Sequence, residues 1–528
     1  MKFLSLPPLV LVALSALLLA AALPPVNAVP LGWVGLAPLL YAAARAPRAR
    51  DAALLGFACG LLLYALTMYW VVGVMARYGR LSYLTSVLVA CLLVAYLACY
   101  VAAFAAFAQA AVSRGGRAAL WTAPFAWVAL EYVRNYCITG FPWNPLALTQ
   151  HRWPALIQVA SLGGIYAVSL LVASSSAALA YAMLALAEAR SRRNAWAGVA
   201  VCVLIPVLAA AGGAVALGHA GESSAFVRAA VVQPNISQDE KLAGRDALRQ
   251  LERHIELSRG TAPLAPRYLV WPESSVPFTY GSDDVYRREV AALAKEMSVF
   301  VTLGSVTFAG SYVHNSAITV TPEGEPSARY DKMHLVPFGE YVPLGEILFF
   351  VEPLVREVGN FRPGLSRPLG KVGYYPFGTV ICYEIIFPEL SRASVERGAQ
   401  FLVTITNDAW FGRSSAPYQH FAHAVFRAVE TRRPVVRAAN TGISGFVDAY
   451  GRIRQESAIF EETALVETIR PREDKTVYVR WGDWLPKFSL LVAFLTLVRV
   501  AWPPLLAFVR RKKNEWLGGD EPRESTPP

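Results

Sequence analysis

Residues 379–384 read Thr-Val-Ile-Cys-Tyr-Glu, and this stretch decides the fold class that the sequence predicts. Three residues typical of a β-strand end at Cys382, and Pro388 stands where a helix commonly begins. A thiol between a strand end and a helix N-terminus lies where a thiolate is electrostatically favoured. The pattern indicates a cysteine nucleophile on an α/β scaffold, although a buried structural cysteine is the more common fate of a free thiol.

Cys382 is separated from the other cysteines of the chain. Cys137 lies just outside an apolar run, and four more lie inside such runs, namely Cys59, Cys91, Cys99 and Cys202. Cys382 is therefore the only cysteine of the large polar segment and has no obvious disulfide partner there. Without a pairing pattern, the cysteines do not indicate a redox compartment.

A carboxylate and an amine stand in similar positions upstream of Cys382. Glu273 follows the apolar run 269–272, and Lys332 lies in the mixed segment 329–340. All three side chains stand at or just past an apolar run, which is where α/β folds display reactive groups. They are therefore candidates for one site.

Glu, Lys and Cys in this order and in these contexts resemble the triad of the nitrilase superfamily. Longer strings are similar to the apolipoprotein N-acyltransferase family, membrane enzymes that complete bacterial lipoproteins. These strings are YDKMHLVPFGEYVP at 330–343, ICYE at 381–384, and TNDAWFG at 406–412 followed by QHF at 419–421. The resemblance covers almost the whole chain. It implies a multi-span α-helical membrane domain and an α/β nitrilase-like sandwich with four layers, αββα.

The composition independently indicates membrane spans. Of 528 residues, 55% are hydrophobic and only 16% are charged, whereas an ordinary soluble protein has about 25% charged residues. The net charge of +11 either sets the topology or attracts anionic lipid. Nucleic acid is not an expected partner, because no basic patch is interleaved with aromatic residues.

Eight apolar runs are candidate spans, at about 4–23, 29–46, 52–75, 83–112, 118–133, 157–187, 195–217 and 486–509. The first run is also similar to a secretory signal peptide, but its length and the spans that follow favour a retained helix. The prediction is a membrane domain of about seven helices over 1–217, a catalytic domain over 218–485, a last transmembrane helix over 486–510 and a polar tail over 511–528.

Basic residues in the short loops predict the orientation. One set of loops and the tail carry twelve: Arg45, Arg48, Arg50, Arg114, Arg117, Arg190, Arg192, Arg193, Arg510, Arg511, Lys512 and Lys513. The alternate loops carry four: Arg77, Arg80, Arg134 and Arg152. This bias predicts an inner-membrane protein with both termini in the cytoplasm and the catalytic domain in the periplasm of a Gram-negative cell.

Strands and helices alternate in the segment between the last two spans. Strands are predicted at 226–233, 267–271, 299–305, 315–320, 377–382, 400–406, 434–439 and 443–449, and helices at 239–259, 284–297, 388–397 and 416–432. The strands form two sheet-like sets, which is typical of an α/β sandwich.

The three candidate side chains have complementary chemistry. Glu273 is the expected base for the Cys382 thiol, and Lys332 is the expected fixed positive charge beside the oxyanion. Placed together, the three groups titrate as a coupled set. The resemblance implies supporting roles for Glu340, Tyr383 and Glu384, with the two residues after the thiol shaping the pocket; Asn315 is a further candidate near the site.

Several apolar side chains are candidates for lipid contact. The apolar segment 344–355, which contains Leu348, Phe349 and Phe350, is expected either to pack into the core or to form a lid facing the membrane. Trp410 and Phe411 are candidate walls of an acyl pocket. Trp143 belongs to an aromatic loop at 134–156, which is either an interfacial belt or a docking floor for the outer domain or for an acyl chain.

A metal centre and a cofactor are not expected. His420 and His423 have the spacing of a ligand pair on a helix, but the sequence offers no evident third ligand. They are interpreted as helix residues near the site. The segment Lys241-Leu242 departs from the family, which often has a tryptophan there, and this leaves lipid contact at that position open.

The resemblance implies transfer of an sn-1 acyl chain from a phospholipid, through a Cys382 thioester, to the N-terminal amine of an S-diacylglyceryl-cysteine apolipoprotein. A monomer is expected. The first alternative is a membrane-tethered nitrilase-type amidase or hydrolase with the same triad. The second is a transporter or scaffold without enzymatic activity, which the sparse mid-span charges and the intact triad disfavour.

Overall fold

The computed structural model describes residues 5–79, 81–188, 192–219, 221, 223–243, 246–280, 283–310, 312–341 and 361–517. The expected lid at 344–355, with Leu348, Phe349 and Phe350, lies outside the described residues. So does the end of the polar tail beyond residue 517.

The N-terminal part is helical, because its sequence consists of long apolar runs separated by short polar or Gly-containing turns. Its α-helices are Pro8–Ala22, Val29–Gly35, Ala37–Ala44, Ala49–Met68, Trp70–Tyr78, Tyr83–Gly115, Ala123–Arg134, Pro154–Ile157, Ala160–Gly163, Ile165–Ala187 and Arg192–Gly218. A further long helix, Trp484–Leu517, follows the catalytic domain. It continues past residue 510, where the sequence placed the end of the last span.

Five of these helices are long and apolar enough to cross a membrane: Ala49–Met68, Tyr83–Gly115, Ile165–Ala187, Arg192–Gly218 and Trp484–Trp502. Shorter apolar helices occupy Pro8–Ala22, Val29–Ala44 and Pro154–Gly163. The run expected as a fifth span contributes the twelve-residue helix Ala123–Arg134. The prediction of eight spans therefore stays a prediction for the shorter helices. Residues 8–218 and the helix Trp484–Leu517 together form the membrane part of the protein.

Twelve strands of the described chain form two six-stranded sheets. The strands are β1 Val227–Gln233, β2 Tyr268–Val270, β3 Phe300–Ala309, β4 Tyr312–Val320, β5 Pro326–Asp331, β6 Gly370–Val372, β7 Tyr375–Ile381, β8 Phe401–Thr406, β9 Val435–Ala439, β10 Gly445–Val447, β11 Ile453–Glu456 and β12 Thr463–Ile469. The strand orders are β12-β1-β2-β3-β4-β5 and β11-β10-β9-β8-β7-β6. Parallel pairing joins β1 to β2, β2 to β3, β7 to β8 and β8 to β9.

The two sheets pack face to face between helices, which confirms the αββα sandwich. Alternate residues of β1 show the arrangement: Ala229 and Val231 face the core between the sheets, whereas Ala230 and Val232 face the outer helices. Helices Ala247–Gly260 and Asp284–Met297 cover the first sheet. The second sheet is covered by helices Pro388–Glu396 and Ala416–Thr431.

Helix Ala416–Thr431 is buried on both sides. One side packs on the second sheet, and the other packs on the membrane helices, with which it shares one apolar core. Every side chain in it except Tyr418 is buried. A fully buried side chain such as Phe421 or Phe426 contributes about 1.5–3 kcal/mol to folding, so this helix joins the two parts of the protein firmly.

Candidate active site

Cys382 lies directly after β7, as the first residue of the short 3₁₀ helix Cys382–Ile386. Its backbone adopts a left-handed conformation with φ of +51°, which for a non-glycine residue costs about 1–3 kcal/mol. The side chain is buried, with 8% of its surface exposed. Its sulfur lies within 4.8 Å of an Asp408 oxygen and a His420 nitrogen.

Glu273 follows β2 and is bound through both carboxylate oxygens. The side-chain amide of Asn315 donates to Oε1 at 2.7 Å, and the backbone N–H of Asn407 donates to Oε2 at 2.9 Å. Gly304 of β3 allows this approach, since a Cβ there would lie 2.6 Å from the Glu273 Cα. The carboxylate is therefore fixed between the two sheets.

Lys332 follows β5, and its amine lies between two carboxylates. Nζ is 3.0 Å from Glu340 and 3.4 Å from Glu273, and only 1% of the side chain is exposed. Asn315 also donates to Glu340 at 3.0 Å. Burial by itself lowers the pKa of Lys332, but Glu340, then Glu273, outweigh burial and raise the pKa above its ordinary value. Lys332 is therefore a permanent cation.

The Cys382 thiol requires a base. Burial is the largest influence and raises its pKa, and the negative charges of Glu273 and Asp408 raise it further. Lys332 and a hydrogen bond with Thr406 act in the opposite direction but do not compensate. The thiol is protonated at neutral pH, so nucleophilic attack requires that its proton be accepted by a neighbouring group.

Glu384 is bound to the loop after Lys332, and a role in shaping the pocket stays a prediction. Its fully buried carboxylate accepts hydrogen bonds from the Tyr330 hydroxyl and from the backbone N–H groups of Met333, His334 and Ile381, all at 2.7–3.0 Å. The Glu384 carboxylate therefore joins the loop after Lys332 to the turn that carries the Cys382 thiol. Glu384 thus fixes the distance between two reactive side chains.

Tyr383 and Trp143 connect the nucleophile to the membrane part. The Tyr383 hydroxyl donates to the Gly140 carbonyl at 3.0 Å. The Trp143 ring stacks on Tyr383 at 6.5 Å and on His420 at 5.6 Å between ring centroids, and its N–H donates to Gln419 at 2.8 Å. Trp143 is 1% exposed, so it is buried against the catalytic domain and not in an exposed aromatic belt.

Phe411 and Trp410 also contact the membrane part. The Phe411 ring packs on Trp70 at 5.0 Å and on Trp143 at 5.9 Å, whereas Trp410 packs on Tyr78 at 5.1 Å. These are contacts between protein side chains. Lipid contact by either residue stays a prediction.

A hydrogen-bonded network that the sequence did not reveal lies behind the nucleophile. His420 Nε2 is 3.0 Å from the Cys382 carbonyl oxygen, and its Nδ1 is 2.9 Å from Asp408 Oδ1. Arg437 donates to Asp408 Oδ2 at 2.9 Å. Burial would raise the pKa of Asp408, but Arg437, followed by His420, lowers it to about 2. His423 does not converge on this network, and neither of its ring nitrogens has a described hydrogen-bond partner.

Cys382, Asp408 and His420 place three potential metal-ligand atoms within 4.8 Å of one another. The donor set does not fit a cation. Arg437 lies against both Asp408 and His420, at 2.9 and 3.1 Å, and would repel a metal ion. The ring nitrogen Nε2 is already engaged by the Cys382 carbonyl. These residues form a hydrogen-bond network that holds the nucleophile's backbone.

The fold and the Glu-Lys-Cys arrangement define a protein of the nitrilase class whose catalytic domain is fused to membrane helices. Two family models match the chain: the apolipoprotein N-acyltransferase N-terminal domain over residues 15–178 and the carbon-nitrogen hydrolase over residues 228–474. An apolipoprotein N-acyltransferase of Geobacter metallireducens is 40% identical over 476 residues, covering 89% of this chain and 91% of the relative. One from Methylococcus capsulatus is 33% identical, covering 88% of each chain.

The chain therefore belongs to the apolipoprotein N-acyltransferase family. Among solved structures, an amidase of the nitrilase superfamily from Nesterenkonia is 20% identical with a TM-score of 0.38, covering 51% of this chain and 95% of the amidase.

Proposed function

We propose that the protein transfers an sn-1 acyl chain from a membrane phospholipid to the N-terminal amine of an S-diacylglyceryl-cysteine apolipoprotein. The observation that carries the proposal is the convergence of Glu273, Lys332 and Cys382 on a domain that packs against membrane helices. The names of the relatives support it. Glu273, Lys332 and Cys382 are the proposed catalytic residues.

In the first half-reaction, Glu273 accepts the thiol proton while Cys382 Sγ attacks the ester carbonyl. Lys332 stabilises the negative charge that develops on the carbonyl oxygen. The tetrahedral intermediate collapses as the ester C–O bond breaks, and Glu273 returns the proton to the leaving alkoxide. The products are a lysophospholipid and an acyl thioester on Cys382.

In the second half-reaction, the lipoprotein amine attacks the thioester carbonyl and Glu273 accepts one of its protons. The C–S bond breaks, an amide forms, and the proton passes to the Cys382 thiolate. Both half-reactions use the same carboxylate, which explains why Glu273 is held from three directions. The supporting residues act through these groups: Asn315 and Glu340 position Glu273 and Lys332, and Tyr383 and Glu384 position the turn of Cys382.

Confinement at a membrane surface suits two lipid substrates, because it replaces two searches through bulk solution. The proposed orientation has the catalytic domain in the periplasm and both termini in the cytoplasm, and the proposed active form is a monomer. Trp410, Phe411 and the segment 344–355 are proposed to contact acyl chains.

The match to carbon-nitrogen hydrolases favours a second candidate, a membrane-tethered hydrolase that releases its intermediate to water. Intact-protein mass spectrometry after incubation with a phospholipid distinguishes the two functions, with Cys382→Ser as the control. The transferase predicts an acyl-sized mass gain that is removed by hydroxylamine and by a diacylated lipopeptide, which itself gains the acyl chain. Loss of the adduct to water, with the lipopeptide unchanged, would favour the hydrolase.

A further inference from the structure

Arg427 contacts the far end of the helix that carries the nucleophile. Its Nη1 lies 3.4 Å from the carbonyl oxygen of Ile385 and 3.3 Å from that of Ile386. These residues end the 3₁₀ helix that begins at Cys382. A guanidinium at terminal carbonyls satisfies acceptors that a helix leaves without internal partners.

The same guanidinium is paired with Glu430, one turn further along helix Ala416–Thr431. Arg427 Nε is 2.8 Å from Glu430 Oε2, and Nη2 donates to Oε1 at 3.0 Å. Neither side chain has any exposed surface. A buried pair of this kind is held only while both charges remain, because either charge alone would be uncompensated.

Glu430 also receives a hydrogen bond from the membrane part. The backbone N–H of Ile165 donates to Oε1 at 2.7 Å. Ile165 is the first residue of the membrane helix Ile165–Ala187, and the preceding Gly164 has no side chain that caps the helix. The catalytic domain therefore supplies the carboxylate that this membrane helix lacks.

Two further contacts also join the chain after Cys382 to the membrane part. The helix Pro388–Glu396 comes directly after the nucleophile's 3₁₀ helix. In this helix, the Glu389 carboxylate accepts a hydrogen bond at 3.3 Å from the side-chain amide of Asn135. Asn135 caps the C-terminus of helix Ala123–Arg134. Arg392 pairs with Asp483, immediately before the last long helix, at 2.7 Å. The chain after Cys382 is thus attached to the ends of three membrane-part helices.

We propose that Arg427 and Glu430 are positioning residues that link the N-terminus of the membrane helix Ile165–Ala187 to the placement of the Cys382 thiol. The inference rests on the proposed function for its effect on acyl transfer. The left-handed Cys382 requires restraint from its surroundings, and the pair restrains the opposite end of its helix. The position of the membrane helix therefore restrains the backbone of Cys382 through this pair.

The test separates this link from a contribution to folding alone. The double variant Arg427→Met with Glu430→Met removes both buried charges together, so it is expected to fold while the link is lost. Glu430→Gln tests the pair alone, because its amide oxygen still accepts from the Ile165 N–H while the Arg427 charge loses its partner, so its melting temperature is expected to fall. The matched control is Glu456→Gln, which breaks another ion pair between the two parts, Arg152 to Glu456 at 2.8 Å, away from the Cys382 helix.

Three quantities are measured on the full-length protein in detergent: the melting temperature, the rate of thioester formation across phospholipid concentrations, and the rate at which iodoacetamide alkylates the Cys382 peptide. The double variant is expected to lower the saturating acylation rate at least tenfold with an unchanged half-saturating lipid concentration. Its alkylation rate is expected to change at least threefold. Glu430→Gln is expected to show the same changes with smaller amplitude, and Glu456→Gln is expected to stay within twofold of the wild type.

A double variant that melts like the wild type and acylates at the wild-type rate would overturn the link. An equal loss in Glu456→Gln would also overturn it, because general docking would then explain the effect. If the wild type forms no thioester but alkylation still changes in the stated order, the proposed function fails while the positioning inference stands.

Discussion

Replacing Lys332 with Met tests the electrostatic arrangement of the site most directly. In the wild type, the ammonium lies 3.0 Å from Glu340 and 3.4 Å from Glu273. Each contact is worth about 5 kcal/mol at an effective dielectric constant of about 20, before the cost of desolvation is subtracted. Methionine fills a similar volume but leaves two buried carboxylates on the same Asn315 amide with no cation between them.

Two losses follow from this substitution, and they have different sizes. Loss of one preorganised oxyanion donor lowers a rate by about 10²–10³-fold. An uncompensated buried charge costs about 3–5 kcal/mol of folding stability. We therefore expect Lys332→Met to fold with a lower melting temperature and to form the Cys382 thioester at least 100-fold more slowly.

Thioester formation is measured by rapid quenching and intact-protein mass spectrometry, with thermal unfolding on the same samples. Lys371→Met is the matched control, since Lys371 is exposed on β6. Acylation by Lys332→Met within about threefold of the wild-type rate would refute the assignment of Lys332 as the charge that stabilises the oxyanion.

Three other substitutions test separate parts of the site. Glu384→Gln exchanges an acceptor of several hydrogen bonds for a neutral amide; it is expected to lower the free energy of unfolding by about 1.5–3 kcal/mol and to slow acylation, and an unchanged denaturation midpoint would contradict this. His420→Phe removes the donor to the Cys382 carbonyl and is expected to slow acylation more than His423→Phe, whose ring has no described hydrogen bond; equal rates would refute a positioning role. Burial lowers the pKa of Lys241 to about 7, so between about pH 7 and 10 the unfolded chain binds more protons and stability rises with pH. Lys241→Met is expected to flatten this rise when melting temperature is measured against pH. Parallel curves of melting temperature against pH for the variant and the wild type would show that Lys241 is not the titrating group.

The sequence predicted one site for Glu273, Lys332 and Cys382 because each residue stands where a strand ends. Glu273 follows β2, Lys332 follows β5 and Cys382 follows β7, and sheet topology brings such ends together. Buried strands such as β8 and β9 were also predictable, since apolar and β-branched residues predominate in them. The edge strands β6 and β11 were not, because short strands with mixed residues resemble loops.

The roles of His420 and Glu384 were not predictable, for a different reason. His420 has the spacing of a metal-ligand pair with His423, but its partners Asp408 and Arg437 come from other elements of the fold. Glu384 stands next to the nucleophile in sequence, yet its carboxylate serves the loop after Lys332. Sequence strings marked both residues as notable, and only tertiary contacts reveal what each one binds.

Helix Ala416–Thr431 has a practical consequence for dissecting the protein. Because its side chains are covered by a sheet on one side and by the membrane part on the other, a fragment of residues 218–485 would uncover the second side and leave Gln419 without Trp143 and Trp70. Its cation–carboxylate pair would lose the Ile165 donor as well. The excised fragment is therefore expected to aggregate, and a water-soluble version would require polar replacements along that helix, at positions that also support the nucleophile.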